Sequence, residues 1–462
     1  MNQSAATQAW DLDAVERASD ARQEPLWLRQ QRQQAFQLYH ETPPAYWDRN
    51  QLPFPWERLQ WQAAQGQRSP ASMQLRLISP EPTLLPPGVI VTDLVQAVRQ
   101  HPDLVRRYLF ASALSLGDER VTDSHTVALQ ACLWQNGLFV YVPARVKVEL
   151  PLTVARGPGL GVPADPHAGK AGESVGGPTP KDGWVQAQLE HTLIVLGEGA
   201  SLDFVQQDQE EASQPGAAAL TPSGATGGHF LGQSWEVYLG AGAHLRAAFV
   251  QDLPTWLGAN PEQARPVYAL RTGRILLERD SQLELIEAEM GAAWARSQWT
   301  AELVGEGATA AAYGLFFGVG SQRLDLDLTL SNRAAHTKAE MAVRGVVAGR
   351  AQGIFHGLGY VHQAAPASSN NQQTAALVLN KNARADVVPG LKIDEDEVQA
   401  GHGAAVGQVD EEALFYLMSR GLSRTQATQL MVEGFLTAWW DRLPLPQVRA
   451  VLQELSLQKL GG

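Results

Sequence analysis

The chain contains a single cysteine in 462 residues. That excludes an internal disulfide framework, and it excludes a CxxC-type metal or cluster site held by this chain alone. Cys132 lies in ACLWQNGLFVYV, an apolar, strand-like run, and there a lone cysteine reads as a small buried hydrophobe. Positive charge is also in short supply, with 36 Lys and Arg against 48 Asp and Glu and a formal net charge of −12. Nucleic-acid binding needs clustered cations to replace the counterions of phosphate, so this balance argues against it. No apolar run is long enough to span a bilayer, and the N-terminus MNQSAATQAWDLD lacks the basic-then-apolar order of a signal peptide. The expectation is a cytoplasmic protein with no membrane partner. Its 44% hydrophobic and 18% charged residues are those of a globular chain with room for two or three domains.

The first segment, residues 1–115, reads as a helical region with loops. Pro25 suits a first helical position, and LWLRQQRQQAFQLY after it carries Trp27, Leu28, Ala35, Phe36, Leu38 and Tyr39 until Pro43-Pro44 stops the helix. A second helix, capped by Thr92 or Asp93, places Leu94, Val95 and Val98 on one side. Trp10, Trp27, Trp47, Trp56 and Trp61 make the region tryptophan-rich, which suits packing or docking better than catalysis.

Residues 116–409 have a different texture, in which short runs of Val, Leu, Ile, Phe and Tyr recur between tight turns. The unit is a strand, a Gly-x-Gly-Ala-like turn and a second strand. It appears at Gly197, Gly199, Ala200, at Gly240, Gly242, Ala243, more loosely around Asp280, at Gly305, Gly307, Ala308, and at Asn380, Asn382, Ala383. Gly takes φ > 0 freely and Asn tolerates it, which a tight reversal requires. Spacings of one or two units of about 20–25 residues suit a solenoid of stacked rungs. Helical periodicity is scarce, which argues against a βαβ array. The fold class expected is mainly β, a right-handed parallel β-helix flanked by helical N- and C-terminal regions, with a β-sandwich as the alternative. Gly/Pro/Ser/Ala-rich stretches near 156–183 and 209–229 read as mobile loops between rungs. HAGKAG is not a phosphate loop, because Ala164 and Ala171 stand at two required positions, so no nucleotide is expected on this chain.

Residues 410–462 turn helical again. Asp410 can cap DEEALFYLMSRG, with Leu414, Leu417 and Met418 on one face and Gly421 as the stop. Ser423 with Gln426 resembles a capping box for the next helix, where Ala427, Leu430, Met431, Gly434 and Phe435 follow i, i+3, i+4, i+7, i+8. A helical pair at the end of a solenoid is expected to cap its last rung and to offer a surface to a partner.

The histidine and threonine of RAAHTKAE, the stretch NNQQTAALVLNKNARADVVPGLKI and the junction EVQAGHGAAVGQVDEEALFYLMSRG form an ordered series between residues 319 and 435. This series resembles the SufB/SufD family, as do LFVYVPARVKVELPL and LIVLGEGASL upstream. The resemblance implies a non-catalytic, SufD-like scaffold subunit for iron–sulfur cluster assembly. It would pair with a SufB-like subunit, form a possible homodimer when alone, and dock a SufC-like ATPase through its C-terminal helices, with Leu414, Phe415, Leu430, Met431 and Phe435 as contacts. The cluster would be transient and shared with the SufB-like partner. SufB-type chains need cysteines to take up sulfur, so the lone Cys132 favours the D-type subunit.

His402, in Ala400-Gly401-His402-Gly403, matches the family histidine implicated as a cluster ligand, and neutral imidazole suits iron. Many D-type relatives carry cysteine where this chain has Ala400. On the residues alone, a histidine between glycines also reads as a hydrogen-bonded turn residue. His336, His356 and His362 lie at spacings that match no compact ligand pattern and read as rung or surface histidines. Asp394-Glu395-Asp396-Glu397 reads as a solvated turn or a partner-facing patch rather than as paired catalytic carboxylates. A β-helix carbohydrate-active enzyme or a structural solenoid is the alternative, but the carboxylates grouped on successive rungs that such an enzyme needs are not evident.

Overall fold

The computed structural model describes residues 11–42, 59–60, 73–79, 84–111, 124–158, 185–209, 228–257 and 264–461. The loops expected near 156–183 and 209–229 fall almost entirely outside these residues. From Leu138 onward, successive strands alternate between two sheets. One sheet stacks Leu138–Val142, Val185–Leu196, Gly228–Leu239, Arg265–Leu277, Trp294–Leu303, Arg323–Asn332, Gln352–Val361 and Arg384–Ile393 in chain order. The other stacks Leu152–Pro158, Ser201–Gln209, His244–Asp252, Gln282–Glu289, Thr309–Gly318, Lys338–Val347, Ser369–Val378 and Gln399–Gln408. These stacked neighbours pair in parallel, so each coil lays one strand on each sheet, which is a parallel β-helix.

Period-two patterning builds the coil. In RLDLDLTLSN, Leu324, Leu326, Leu328 and Leu330 point into the lumen and join one continuous core, while Asp325, Asp327, Thr329 and Ser331 face outward. Phe204, Trp235, Phe249 and Trp299 stack along the lumen, with successive ring centroids 5.6, 4.7 and 4.7 Å apart. Burying each such ring contributes roughly 1.5–3 kcal/mol.

Trp294, Arg323 and Gln352 lie in register, so one coil takes about 29 residues, not one or two units of 20–25. The longer interval from Gly197 to Gly240 is a single coil that also contains residues 210–227. The recurring turn also divides between two corners. Gly199, Gly242, Asp280 and Gly307 all have φ between 55° and 74° on one corner, whereas Asn380–Ala383 belongs to the opposite one. There the Asn380 side-chain oxygen accepts a hydrogen bond from the Gly349 amide at 2.6 Å. Gly197 and Gly305 answer a different need, since a Cβ on Gly305 would lie 1.9 Å from the Arg279 nitrogen.

The N-terminal segment packs on the outer face of the first sheet and supplies strands as well as helices. Ile90–Asp93 runs antiparallel to Leu138–Val142, and Met73–Ser79 antiparallel to Leu152–Pro158. Asp93 caps Leu94–Gln100 by accepting from the amides of Val95 and Gln96. Cys132 corrects the sequence reading in one respect: it sits in a helix, Ser124–Leu133, not in a strand. Its thiol is 1% exposed and pushed up to about 12, chiefly by burial, so it is the inert hydrophobe expected.

The C-terminal helices Glu411–Ser419, Arg424–Trp440 and Pro446–Gly461 do not cap the last rung. Val432, Leu436, Trp439, Trp440, Leu443, Leu445, Val448 and Leu452 cover the outer face of the second sheet, against Val250, Ile286, Leu315 and Phe317. Apolar residues outward on several neighbouring strands give the helices a wider bed there than the edge of one rung. The buried face of Arg424–Trp440 is therefore Ala427, Val432, Leu436, Trp439 and Trp440, rotated from the one expected, with Leu430 and Gly434 exposed. The Ser423–Gln426 capping box forms, and Gly421, at φ 98°, follows the helix that Asp410 caps.

Candidate functional site at the open end of the coil

Because the terminal helices lie on the flank, the last coil is uncovered among the described residues. Arg384–Ile393 and Gln399–Gln408 each pair on one side only, so each leaves a row of backbone donors and acceptors at an edge. Val388, Ile393 and Val406 are exposed there. An edge of this kind can be extended by a strand from another chain.

His402 stands on this edge. It pairs in register with Gln372, which pairs with Met341, so its side chain belongs to the inward-facing column of the lumen. One coil earlier that column is buried, but at the open end the imidazole is exposed. Its neighbours on the same face of the strand are Ala400 and Ala404, which leave room around the ring. Gly401, Gly403 and Gly407 face outward, and a Cβ on Gly403 or Gly407 would meet no atom within 4 Å. Neither glycine is required by the packing of this chain, and another backbone can approach closely at both.

Beneath His402 lies a layer that sequence reading missed. Asn370, Gln372 and Thr374 point inward from Ser369–Val378, each at most 4% exposed. Gln372 donates across the lumen to the Gly390 carbonyl at 2.8 Å, and Asn370 donates to the Leu330 carbonyl at 3.0 Å and to the Asn332 side chain at 2.8 Å. The polar layer braces the two sheets and separates the apolar lumen from the open end. Alternation in SNNQQTAALV groups Asn370, Gln372 and Thr374, but Ser369, Asn371 and Gln373 make the other face polar too, so the sequence does not say which set faces the lumen.

The other histidines lie elsewhere. His336 occupies a corner at φ 59°, its amide bonded to the Pro366 carbonyl. His362 stacks on Tyr360 at 3.6 Å and meets the Ser331 hydroxyl at 2.9 Å, and burial, then Arg333, pushes it down to about 4. His356 is half-buried in the strand paired one coil before the edge. Among the described residues, no group of three or more His, Cys, Asp or Glu side chains is placed to hold a metal. His402 is therefore not part of such a group among the described residues. Asp394–Glu397 form the exposed turn between the two edge strands.

Of the helical positions singled out in the sequence, Leu414 is 1% exposed and is part of the packing. Phe415 is 72% and Leu430 48% exposed, while Met431 and Phe435 are half-buried. Tyr416, at 56%, and Met418 add to this apolar surface, which sequence reading left out.

Two family descriptions match the chain. The SUF system FeS cluster assembly SufBD core domain covers residues 179–435, and the SufBD protein N-terminal region covers residues 77–154. The chain belongs to the SufB/SufD family. It is 28% identical over 373 residues to the iron-sulfur cluster assembly protein SufD of Bacillus subtilis, covering 81% of this chain and 74% of that protein. It is 26% identical over 358 residues to an iron-sulfur cluster assembly SufBD family protein of Staphylococcus epidermidis, covering 78% of this chain and 66% of that one. The core match takes in the edge strands, His402 and most of Arg424–Trp440. No helix among the described residues is long and apolar enough to cross a membrane.

Proposed function

We propose that this chain is a D-type, non-catalytic scaffold subunit for iron–sulfur cluster assembly in the cytoplasm, and that its open coil end is where a SufB-like partner docks. The observation that carries this reading is the exposed imidazole of His402 on an edge strand paired on one side only, with glycines around it that the chain's own packing does not require. The cluster is cargo here. His402 supplies one nitrogen ligand, and thiolates come from the partner, since the only cysteine in this chain is buried in the helix Ser124–Leu133, far along the chain from the open end. The two edge strands add to the partner's sheets, and the polar layer under His402 keeps their spacing fixed.

The exposed apolar surface of Phe415, Tyr416, Met418 and Leu430, with Met431 and Phe435 at its margin, takes the SufC-like ATPase. Glu411–Ser419 packs on Arg424–Trp440, which lies on the strands of the second sheet, so movement imposed on the pair reaches the coil through that helix. ATP hydrolysis belongs to that partner.

The test is co-expression with the SufB-like and SufC-like subunits, comparing wild type with His402→Ala. The expected outcome is an intact complex that carries less iron and sulfide and shows weaker visible absorbance. Full cluster loading in the variant complex would remove His402 from the ligand set. Recovery of the chain alone, without either partner, would overturn the scaffold reading.

A further inference from the structure

Five neighbouring strands direct polar side chains into the middle of the lumen, far from the open end. Asp208, Gln251, Glu287, Glu289, Arg271 and Ser297 are each at most 3% exposed. Arg271 donates to Asp208 Oδ2 at 2.7 Å, to Gln233 Oε1 at 2.8 Å and to Glu287 Oε1. Trp299 donates to Glu287 Oε2 at 2.9 Å. One guanidinium thus faces three carboxyl groups; it balances only one ionised carboxylate, and a third would add a further buried negative charge that no cation here opposes.

Hydrogen counting locates the proton that neutralises it. The Ser297 hydroxyl lies 2.6 Å from Glu287 Oε1 and also bonds Glu289 Oε1. A hydroxyl has one hydrogen, so it cannot donate to both carboxylates, and one of them must bring its own. Glu287 Oε1 already accepts from Arg271 and Oε2 from Trp299, so both of its oxygens serve as acceptors. Gln251 accepts from the Leu253 amide at 2.9 Å through Oε1, which turns its NH2 toward Glu289 Oε2 at 2.8 Å and makes that oxygen an acceptor. The remaining place for the hydrogen is Glu289 Oε1.

We infer that the lumen holds a proton-binding site, in which Glu289 is a neutral carboxylic acid donating to Ser297, and Ser297 in turn donates to Glu287. Loss of that proton leaves Glu287 and Glu289 as adjacent buried anions competing for one hydroxyl hydrogen. The groups facing Glu289 are Glu287, Ser297, Gln251 and the Arg271 guanidinium, whose Nη1 lies 3.7 Å from Glu289 Oε1. Burial, then the charge of Glu287, pushes Glu289 up to about 8. The strands that carry Gln251, Glu287 and Glu289 inward carry Ala248, Val250, Ile286 and Ala288 outward beneath the C-terminal helices. Deprotonation therefore weakens the coil directly under those helices.

A carboxyl group that holds its proton more tightly when folded stabilises the fold most at pH below the unfolded Glu value near 4.5, and loses that contribution as pH rises toward about 8. Two measurements test the site on the full chain. Infrared difference spectra should show a protonated-carboxyl C=O band at pH 7 that disappears as pH rises through about 8 and is missing from Glu289→Gln. The amide of that variant can donate to Ser297 as the acid does, so it should fold, and its thermal midpoint should stay level between pH 6 and 9 while that of wild type falls. Absence of the band in wild type, parallel pH curves for the two proteins, or failure of the variant to fold would each overturn the inference.

Discussion

Glu236 joins two parts of the chain with one carboxylate. Its oxygens accept from the Phe110 amide at 3.0 and 3.1 Å and meet His191 Nε2 at 2.8 Å, with Glu236 and His191 out of contact with solvent. Tyr238 donates to the Tyr108 carbonyl, so the N-terminal segment is held onto the first sheet at several points. Replacing Glu236 by Ala strands these donors in a dry interface, and the expected loss is about 3 kcal/mol or more by chemical denaturation. A loss below about 1 kcal/mol would mean that the segment is held by apolar packing alone. Residue identity was legible in the sequence where chemistry was local. Asp93, Asp410 and Ser423 cap the helices their spacing announced. The lumen charges were not legible, because partners such as Asp208 and Arg271 are brought together only by the coil.

At the level of elements, the strands were readable and two helices were misplaced, for one physical reason. Alternation in RLDLDLTLSN marks a strand that buries one face, whereas Ser124–Leu133 is buried over Val127–Cys132 without interruption and shows no period at all. A helix buried on all sides therefore looks like a buried strand. In Arg424–Trp440 several apolar faces compete, and only the sheet beneath decides which is covered. This yields a paired prediction. Leu436→Glu puts a charge into the interface and should unfold the terminal helices by circular dichroism, while Leu430→Glu should leave them folded and weaken binding of the SufC-like ATPase. Equal loss of helix in both variants would contradict the placement. Ser423→Ala removes the capping box and should cost about 1 kcal/mol.

For the whole molecule, the coil explains why the one-sided edge strands gather at one end. A parallel stack satisfies every interior strand from both sides and leaves the edge problem to its termini. Here the N-terminal strands close one end with antiparallel pairs, and the helices that might have closed the other lie along the flank. The recurring turns and the family resemblance made the coil legible, and the resemblance singled out His402. It did not reveal that the end stays open, because that depends on where the helices pack. The most direct measurement is hydrogen–deuterium exchange of the full chain, alone and with a SufB-like partner. The account predicts that amides in residues 384–393 and 399–408 exchange fast in the free chain and become strongly protected in the complex. Unchanged exchange in both segments, with protection appearing elsewhere on the coil, would contradict it.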